Sequence, residues 1–396
     1  MSARLLLFTG KGGVGKTTLA AATAVALAAA GRKTLVVSTD PAHSLGDALG
    51  VPAGADPVEV EPGLHAAQVD PRALVDEAWR DLRGHLRTLL AGAGVDELAA
   101  EELTVLPGVE ELLALAEVRR FVAEGPWDAV VVDCGPTAET LRLLALPEAL
   151  ASYLERLFPT HRRVVRGLLA GVAGSAQVDR WDATADALGR LAERLERLRD
   201  LLTSPDTAVR LVLTPERVVA AETRRTATAL ALQGIAVDGV VANRLVPDPG
   251  AETGAAASWL RTRRAEQEAV LAGLDGLGVV RTVGHRAQEP VGVAELLAVA
   301  ESLYGGADPL DGVRSGSAAA EMSRDGDDYV LRIAVRVGDS DLGLARVGDE
   351  LAVTVDGRRR LVALPSLLKR CVVTGAELDA ESLVVRFRPD PDLWMR

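Results

Sequence analysis

The octet Gly10-Lys11-Gly12-Gly13-Val14-Gly15-Lys16-Thr17 limits this chain to few architectures. It fits the pattern G-x-x-x-x-G-K-[ST]. It also stands between a short apolar run, Leu5 to Phe8, and an alanine-rich stretch, Leu19 to Ala30, which read as a strand and a helix. Strand, glycine loop and helix in that order are the context in which the pattern binds phosphate. Glycines let the backbone curl until successive N–H groups face phosphate oxygens. The helix starting near Thr17 adds the positive end of its dipole. Lys16 is expected to reach the β- and γ-phosphates and the Thr17 hydroxyl to ligate Mg²⁺, with Thr18 completing the nucleotide-binding set. Mg-ATP is thus the expected ligand and its hydrolysis the expected reaction; a glycine turn without a ligand is the plain alternative.

Further along, apolar runs alternate with helical patterns up to about residue 304. The runs are Leu5 to Phe8, Thr34 to Ser38, Ala129 to Val132, Val209 to Leu213, Gly239 to Ala242 and Val279 to Val283. After the first they are rich in valine and continuous, the signature of strands buried on both faces of a parallel sheet. The expected fold class is α/β: a phosphate-loop sheet with helices on both faces. Stretches of about 71–125 and 147–203 show helical spacing without a strand and are expected to form a helical subdomain. Composition shifts after Tyr304. Residues 305–327 are rich in Gly, Ser, Ala and Asp and read as a linker. From 328 to 396 the apolar period becomes two, as in Tyr329, Leu331, Ile333, Val335 and Val337, which predicts a small antiparallel β-sandwich.

With 44 Lys plus Arg against 56 Asp plus Glu, the net charge is −12, which argues against nucleic acid or anionic lipid as a partner. Aromatic residues, at 3%, are too sparse for single-strand stacking platforms. Cys134 and Cys371 are far apart and have no neighbour at metal spacing, so they read as reduced thiols in a cytoplasmic protein. Neither the amino-terminal apolar run nor Leu19 to Ala30 is long enough for a span of about 20 residues, so direct membrane insertion is not expected.

Three segments narrow the class. Lys11 is a second lysine early in the glycine loop. Strand Thr34 to Ser38 runs into Thr39-Asp40-Pro41-Ala42-His43-Ser44-Leu45-Gly46-Asp47. Strand Ala129 to Val132 runs into Asp133-Cys134-Gly135-Pro136-Thr137-Ala138-Glu139-Thr140. Both segments start at the carboxyl end of a strand, where open α/β sheets hold ligands. Together they resemble the deviant Walker A ATPases of the arsenite-transport and tail-anchored-protein-targeting family. That resemblance implies a role for each position. Lys11 would cross a dimer interface to the partner's nucleotide, as an arginine finger does. Asp40 would orient and deprotonate the attacking water in the first switch, alongside the catalytic Lys11 and Lys16. Thr17, Asp40 and Asp133 would form the magnesium set. Thr137 would belong to the second switch. Glu216 would touch nucleotide across the dimer, Asn243 would read the adenine edge, and the loop Gly284 to Val291 would cover the base.

Departures from the family pattern matter as well. Ala138-Glu139 stand where Gly-His often follows the second-switch threonine. No C-x-x-C follows Asn243, and no cysteine cluster offers thiolates to As(III), which disfavours an arsenite-efflux subunit. One glycine loop per chain means that Lys11 can act only if two chains meet, so a homodimer is expected. An unidentified protein client, with hydrophobic segments as candidates, is the expected cargo. Leu168 to Ala176 reads either as a groove lining or as an ordinary helical segment. The carboxy-terminal domain resembles the α-crystallin domain of small heat-shock proteins, through Gly348-Asp349-Glu350-Leu351-Ala352-Val353, Arg359-Arg360-Leu361-Val362-Ala363-Leu364-Pro365 and Ala376-Glu377-Leu378. Its tail lacks their I-x-I/V hook.

Overall fold

A computed structural model describes residues 3–40, 44–70, 109–133, 193–311 except 275, and most of 320–391. The short breaks in the last stretch are 327, 334–341, 349, 356–357, 365–366 and 379–381. Pro41 to His43, the second switch from Cys134 onward, Leu168 to Ala176 and most of the expected helical subdomain lie outside the described residues.

Eight strands form the main sheet: β1 (Arg4–Thr9), β2 (Thr34–Ser38), β3 (Val58–Glu61), β4 (Leu64–Gln68), β5 (Ala129–Asp133), β6 (Thr207–Leu213), β7 (Val237–Leu245) and β8 (Val279–Gly284). Their order is β3-β4-β2-β5-β1-β6-β7-β8, parallel throughout except for the β3–β4 pair. Successive residues Leu5, Leu6, Leu7 and Phe8 are all buried, as are Val130, Val131 and Val132. Consecutive burial means that both faces of the sheet are covered, as the valine-rich runs predict. The described helices are α1 (Lys16–Ala29), α2 (Ser44–Leu49), α3 (Val109–Glu124), α4 (193–202), α5 (Arg217–Leu232), α6 (Ala255–Leu271) and α7 (Val293–Tyr304). α1 lies against the central strands with α7 beside it, its alanines Ala20, Ala21, Ala22 and Ala24 fully buried.

All six strand runs read from the sequence are strands. β3 and β4 were not anticipated. β4 reads Leu64-His65-Ala66-Ala67-Gln68, with no β-branched residue and two polar ones, so its composition carries little strand signal. It is nevertheless nearly all buried, because β2 pairs with it in register from Thr34–Leu64 to Ser38–Gln68.

Near the middle of β6 sits an arginine with no solvent exposure. Arg210 makes a two-pronged pair with Asp238 and donates to the Tyr304 hydroxyl at 2.7 Å and to the Pro309 carbonyl at 2.8 Å. Thr23 donates its only hydroxyl proton to the Leu19 carbonyl, so across the 2.6 Å contact Tyr304 is the donor. Burial pushes the Tyr304 phenol up from its ordinary value, which keeps that proton in place. Residues after α7 are therefore part of the core. Pro309 accepts from Arg210, Leu310 is buried, and Asp308 pairs with Arg32.

The carboxy-terminal strands are β9 (Ala320–Asp325), β10 (Asp328–Ile333), β11 (Leu342–Val347), β12 (Glu350–Val355), β13 (Arg358–Ala363), β14 (Cys371–Leu378) and β15 (Leu383–Pro389). They form two antiparallel sheets, β14-β15-β10-β9 and β11-β12-β13. Leu331, Ile333, Leu351, Val353, Leu383, Val385 and Phe387 share one core, so the sheets face each other as a sandwich. The span 305–327, read as a linker from its composition, is structured at both ends: 305–311 dock on the first domain and 320–325 form β9.

A buried ion pair that loses one partner strands the other charge. Arg210→Ala is therefore expected to lower unfolding free energy by about 3–5 kcal/mol. Asp238→Ala should cost a similar amount and the double variant less than the sum, as measured by urea denaturation.

Candidate nucleotide site at the strand carboxyl ends

The glycine loop joins β1 to α1. β1 lies between β5 and β6; from β1 the chain runs on to β2 on the β5 side, whereas from β6 it runs on to β7 in the opposite direction along the sheet. Such switch points are where open α/β sheets bind ligands. Two glycines are needed for steric reasons. A Cβ at Gly10 would collide with the Val212 carbonyl. Gly15, the residue before α1, has φ of 94°, and a Cβ there would strike the Asn243 side chain. Gly12 and Gly13 are exposed, and Val14 is buried beneath them.

Lys16, Thr17 and Thr18 form the first turn of α1. The Lys16 ammonium donates to the Lys11 carbonyl at 3.4 Å, back over the loop. Thr17 Oγ1 donates to Asp133 Oδ2 at 2.7 Å and lies 3.1 Å from Ser44 Oγ at the start of α2. Ser38 Oγ also donates to Asp133 Oδ2, at 3.1 Å, and accepts from the Asp40 backbone N–H at 3.2 Å. Of the three residues expected to form the metal set, Thr17 and Asp133 are in contact, and the Asp40 backbone is held beside them by Ser38.

Asp133 is fully buried, and among the described residues its Oδ1 has no hydrogen-bond partner. Burial raises its pKa above the ordinary carboxylate value of 3.8. The hydrogen bonds from Thr17 and Ser38 and the charge of Lys16 oppose that rise, and Asp40 adds to it. An orphaned carboxylate oxygen beside a threonine hydroxyl suits a hard divalent cation. Mg²⁺ takes few protein ligands, commonly one or two carboxylates plus phosphate oxygens. Among the described residues no cluster of three His, Cys, Asp or Glu side chains forms, and such a site does not require one.

The remaining expected residues fall at different distances from this point. Asn243, nearly buried at the end region of β7, donates from Nδ2 to the Val14 carbonyl at 2.8 Å. Its Oδ1 accepts from the N–H of Arg244, which has a φ of 62°. In this arrangement it braces the loop. Lys11 is half exposed and lies 3.8 Å from Glu222 on α5. Glu216, just before α5, pairs with Arg263 of α6 at 3.1 Å. The segment after β8 reaches α2, where the Gly292 N–H donates to the Ala48 carbonyl. Cys371 lies in the β-sandwich core, and burial pushes its thiol up, away from the thiolate that a soft metalloid would need. The sequence did not single out Ser38, Ser44 or Gln68. Ser38 is the last residue of a recognised strand, and only the fold turns it toward Asp133.

A parallel sheet whose central strand feeds a phosphate loop, with an acidic residue ending the neighbouring strand, defines a P-loop nucleotide hydrolase. A profile of the family described as Anion-transporting ATPase matches residues 3–305, and one described as the HSP20-like domain found in ArsA matches 326–387. "Protein Rv2184c" of Mycobacterium tuberculosis is 42% identical, over 99% of this chain and 97% of its own. A protein of Prosthecochloris vibrioformis named "Putative arsenical pump-driving ATPase" is 35% identical, over 91% and 90%. The "ATPase ASNA1 homolog" of Trypanosoma cruzi is 32% identical over 61% of this chain and 74% of its own. The chain belongs to the anion-transporting ATPase family and is an ATP hydrolase with a fused HSP20-like domain. No helix among the described residues is long and apolar enough to cross a membrane.

Because its folded-state pKa is raised, Asp133 favours folding at pH below its unfolded pKa, and that contribution is lost as pH rises through the folded value. Asp133→Asn keeps an acceptor for Thr17 and Ser38 without the charge. In nucleotide-free and magnesium-free protein, the variant's Tm is expected to match wild type near pH 4. It should exceed wild type once the pH has risen through the folded value, in thermal scans.

Proposed function

We propose that this chain works as a homodimeric Mg-ATP switch, in which Lys11 of each protomer completes the nucleotide site of the other. The observation that carries this is the contrast between the two loop lysines. Lys16 folds back over its own loop, whereas the Lys11 ammonium sits half exposed on the outer side, against Glu222. Its surroundings suit a second copy. Val218 on α5 is 68% exposed and Trp259 on α6 is 62% exposed, near the Glu216–Arg263 pair that links the two helices. Both charge signs occur on this face, as a self-complementary two-fold contact needs.

In this mechanism Asp133 and Thr17 would hold the magnesium ion. The ion would neutralise phosphate charge and orient the terminal phosphoryl group. Lys16 binds the β- and γ-phosphates of its own nucleotide. Asp40, fixed through its backbone, orients the attacking water. Lys11 of the partner subunit meets the charge that develops on the transferred group. Asn243 keeps the loop in shape and borders the adenine, and Glu216 faces the partner's nucleotide. Hydrolysis would then relax the segment at Asp40 and the one that follows Asp133, releasing a bound client. The client part rests on the resemblance of the switch motifs. Arsenite-driven efflux is set apart by its need for thiolates, since the described Cys371 is locked in the β-sandwich core.

A complementation assay tests the shared site. Lys11→Ala and Asp40→Asn chains are each expected to lose most turnover. Mixed in equal amounts, they should regain about a quarter of the wild-type rate, because half the dimers are mixed and each has one intact composite site. No regain would place Lys11 in its own site and remove the dimer mechanism. Arsenite is expected to leave the ATPase rate unchanged; stimulation would restore the efflux alternative.

A further inference from the structure

We propose that Gln68 is a positioning residue for ATP hydrolysis: its side-chain amide holds the backbone of the first switch, so that Asp40 faces the attacking water. The inference rests on the role given to Asp40 above. Gln68 ends β4, opposite Ser38 in the parallel ladder with β2. Its side chain is 4% exposed, which is unusual for a glutamine. Nε2 donates to the Asp40 carbonyl at 2.9 Å and approaches the Ser38 carbonyl at 3.5 Å. Two carbonyls on one side fix the orientation of the amide, because the flipped rotamer would point Oε1 at both of them.

Asp40 is thereby gripped at both backbone ends, its N–H by Ser38 Oγ and its carbonyl by Gln68. Ser38 in turn bonds Asp133, and Asp133 bonds Thr17. A continuous run of contacts thus leads from the β4 strand end to the first turn of the phosphate-loop helix. The position of Asp40 is set within that run.

The second end of the amide supports a functional role. Oε1 is buried and has no partner among the described residues. An unsatisfied buried acceptor works against folding, so an apolar side chain of equal length would serve packing better. Gln68 supplies the one thing such a side chain cannot, a hydrogen-bond donor to the switch backbone.

The test uses two variants of the full chain and one control. Gln68→Met keeps length and removes the donor. It is expected to lower kcat about tenfold, shift KM for Mg-ATP less than twofold, and leave Tm at or above wild type. Gln68→Glu keeps the length but turns an acceptor toward the Asp40 carbonyl, and at pH 8 it is expected to lower kcat at least as far as Gln68→Met while KM again shifts less than twofold. Unchanged kcat in either variant, or a change confined to KM, would overturn the proposal. If Gln68→Met does not fold, the kcat and KM of Gln68→Glu decide. Asp40→Asn separates the two levels. If it turns over like wild type, the role of Asp40 falls and this proposal with it. If it is inactive while Gln68→Met is normal, only the positioning role of Gln68 falls.

Discussion

A carboxylate sealed from water must find partners or surrender its charge, and Asp133 is in that position. The hydrogen bonds it accepts from Thr17 and Ser38 go to one oxygen, and among the described residues the other oxygen has none. The site is thus organised around an acid with an open acceptor. Thr17 belongs to the loop helix, Ser38 to the strand that leads to Asp40, and Ser44 to the helix beyond it. Two of these segments meet because the buried acid needs donors, and the third joins through the Ser44–Thr17 contact. Protein that lacks cation and nucleotide bears the cost of that burial, and the pull of the pKa upward expresses it.

The opposite demand is met inside the core by Arg210. Here the buried charge is fully paired, and each partner comes from a different element: Asp238 from β7, Tyr304 from the end of α7 and Pro309 from the segment after it. Full satisfaction suits a structural junction, whereas partial satisfaction suits a site that waits for a ligand. The contrast between these two networks distinguishes scaffold from site more sharply than burial alone, since both groups are inaccessible.

Much of the first domain was legible in the sequence because its signals are local. The glycine octet and the valine runs each depend on residues next to one another in the chain, and the strands stand where those runs lie. β4 was not legible, because Ala66, Ala67 and Gln68 carry no β-propensity and become a strand only through pairing with β2. Arg210 was passed over for the same reason: inside a Val- and Leu-rich run, its burial depends on Asp238, 28 residues later. Gln68, Ser38 and Ser44 carry no motif, and their importance exists only in three dimensions. The docking of 305–311 was not legible because Gly305, Gly306 and Asp308 are linker-like in composition. In the fold Gly305 closes α7 in a left-handed conformation and Asp308 pairs with Arg32.

These networks also share an element. α1 begins at the phosphate loop, where Thr17 meets Asp133, and six residues later Thr23 accepts from Tyr304. At 1.5 Å per residue the two contacts are roughly 9 Å apart on one rigid helix. Thr23 leads through Tyr304 to Arg210, and Arg210 grips the segment that runs toward the second domain. A shift of α1 along its axis would therefore alter both the Thr17–Asp133 contact and the network around Arg210. Packed cores transmit such shifts because they have no slack to absorb them. The Tyr304 hydroxyl stands where helix, strand and docked segment meet, donating to Thr23 and accepting from Arg210.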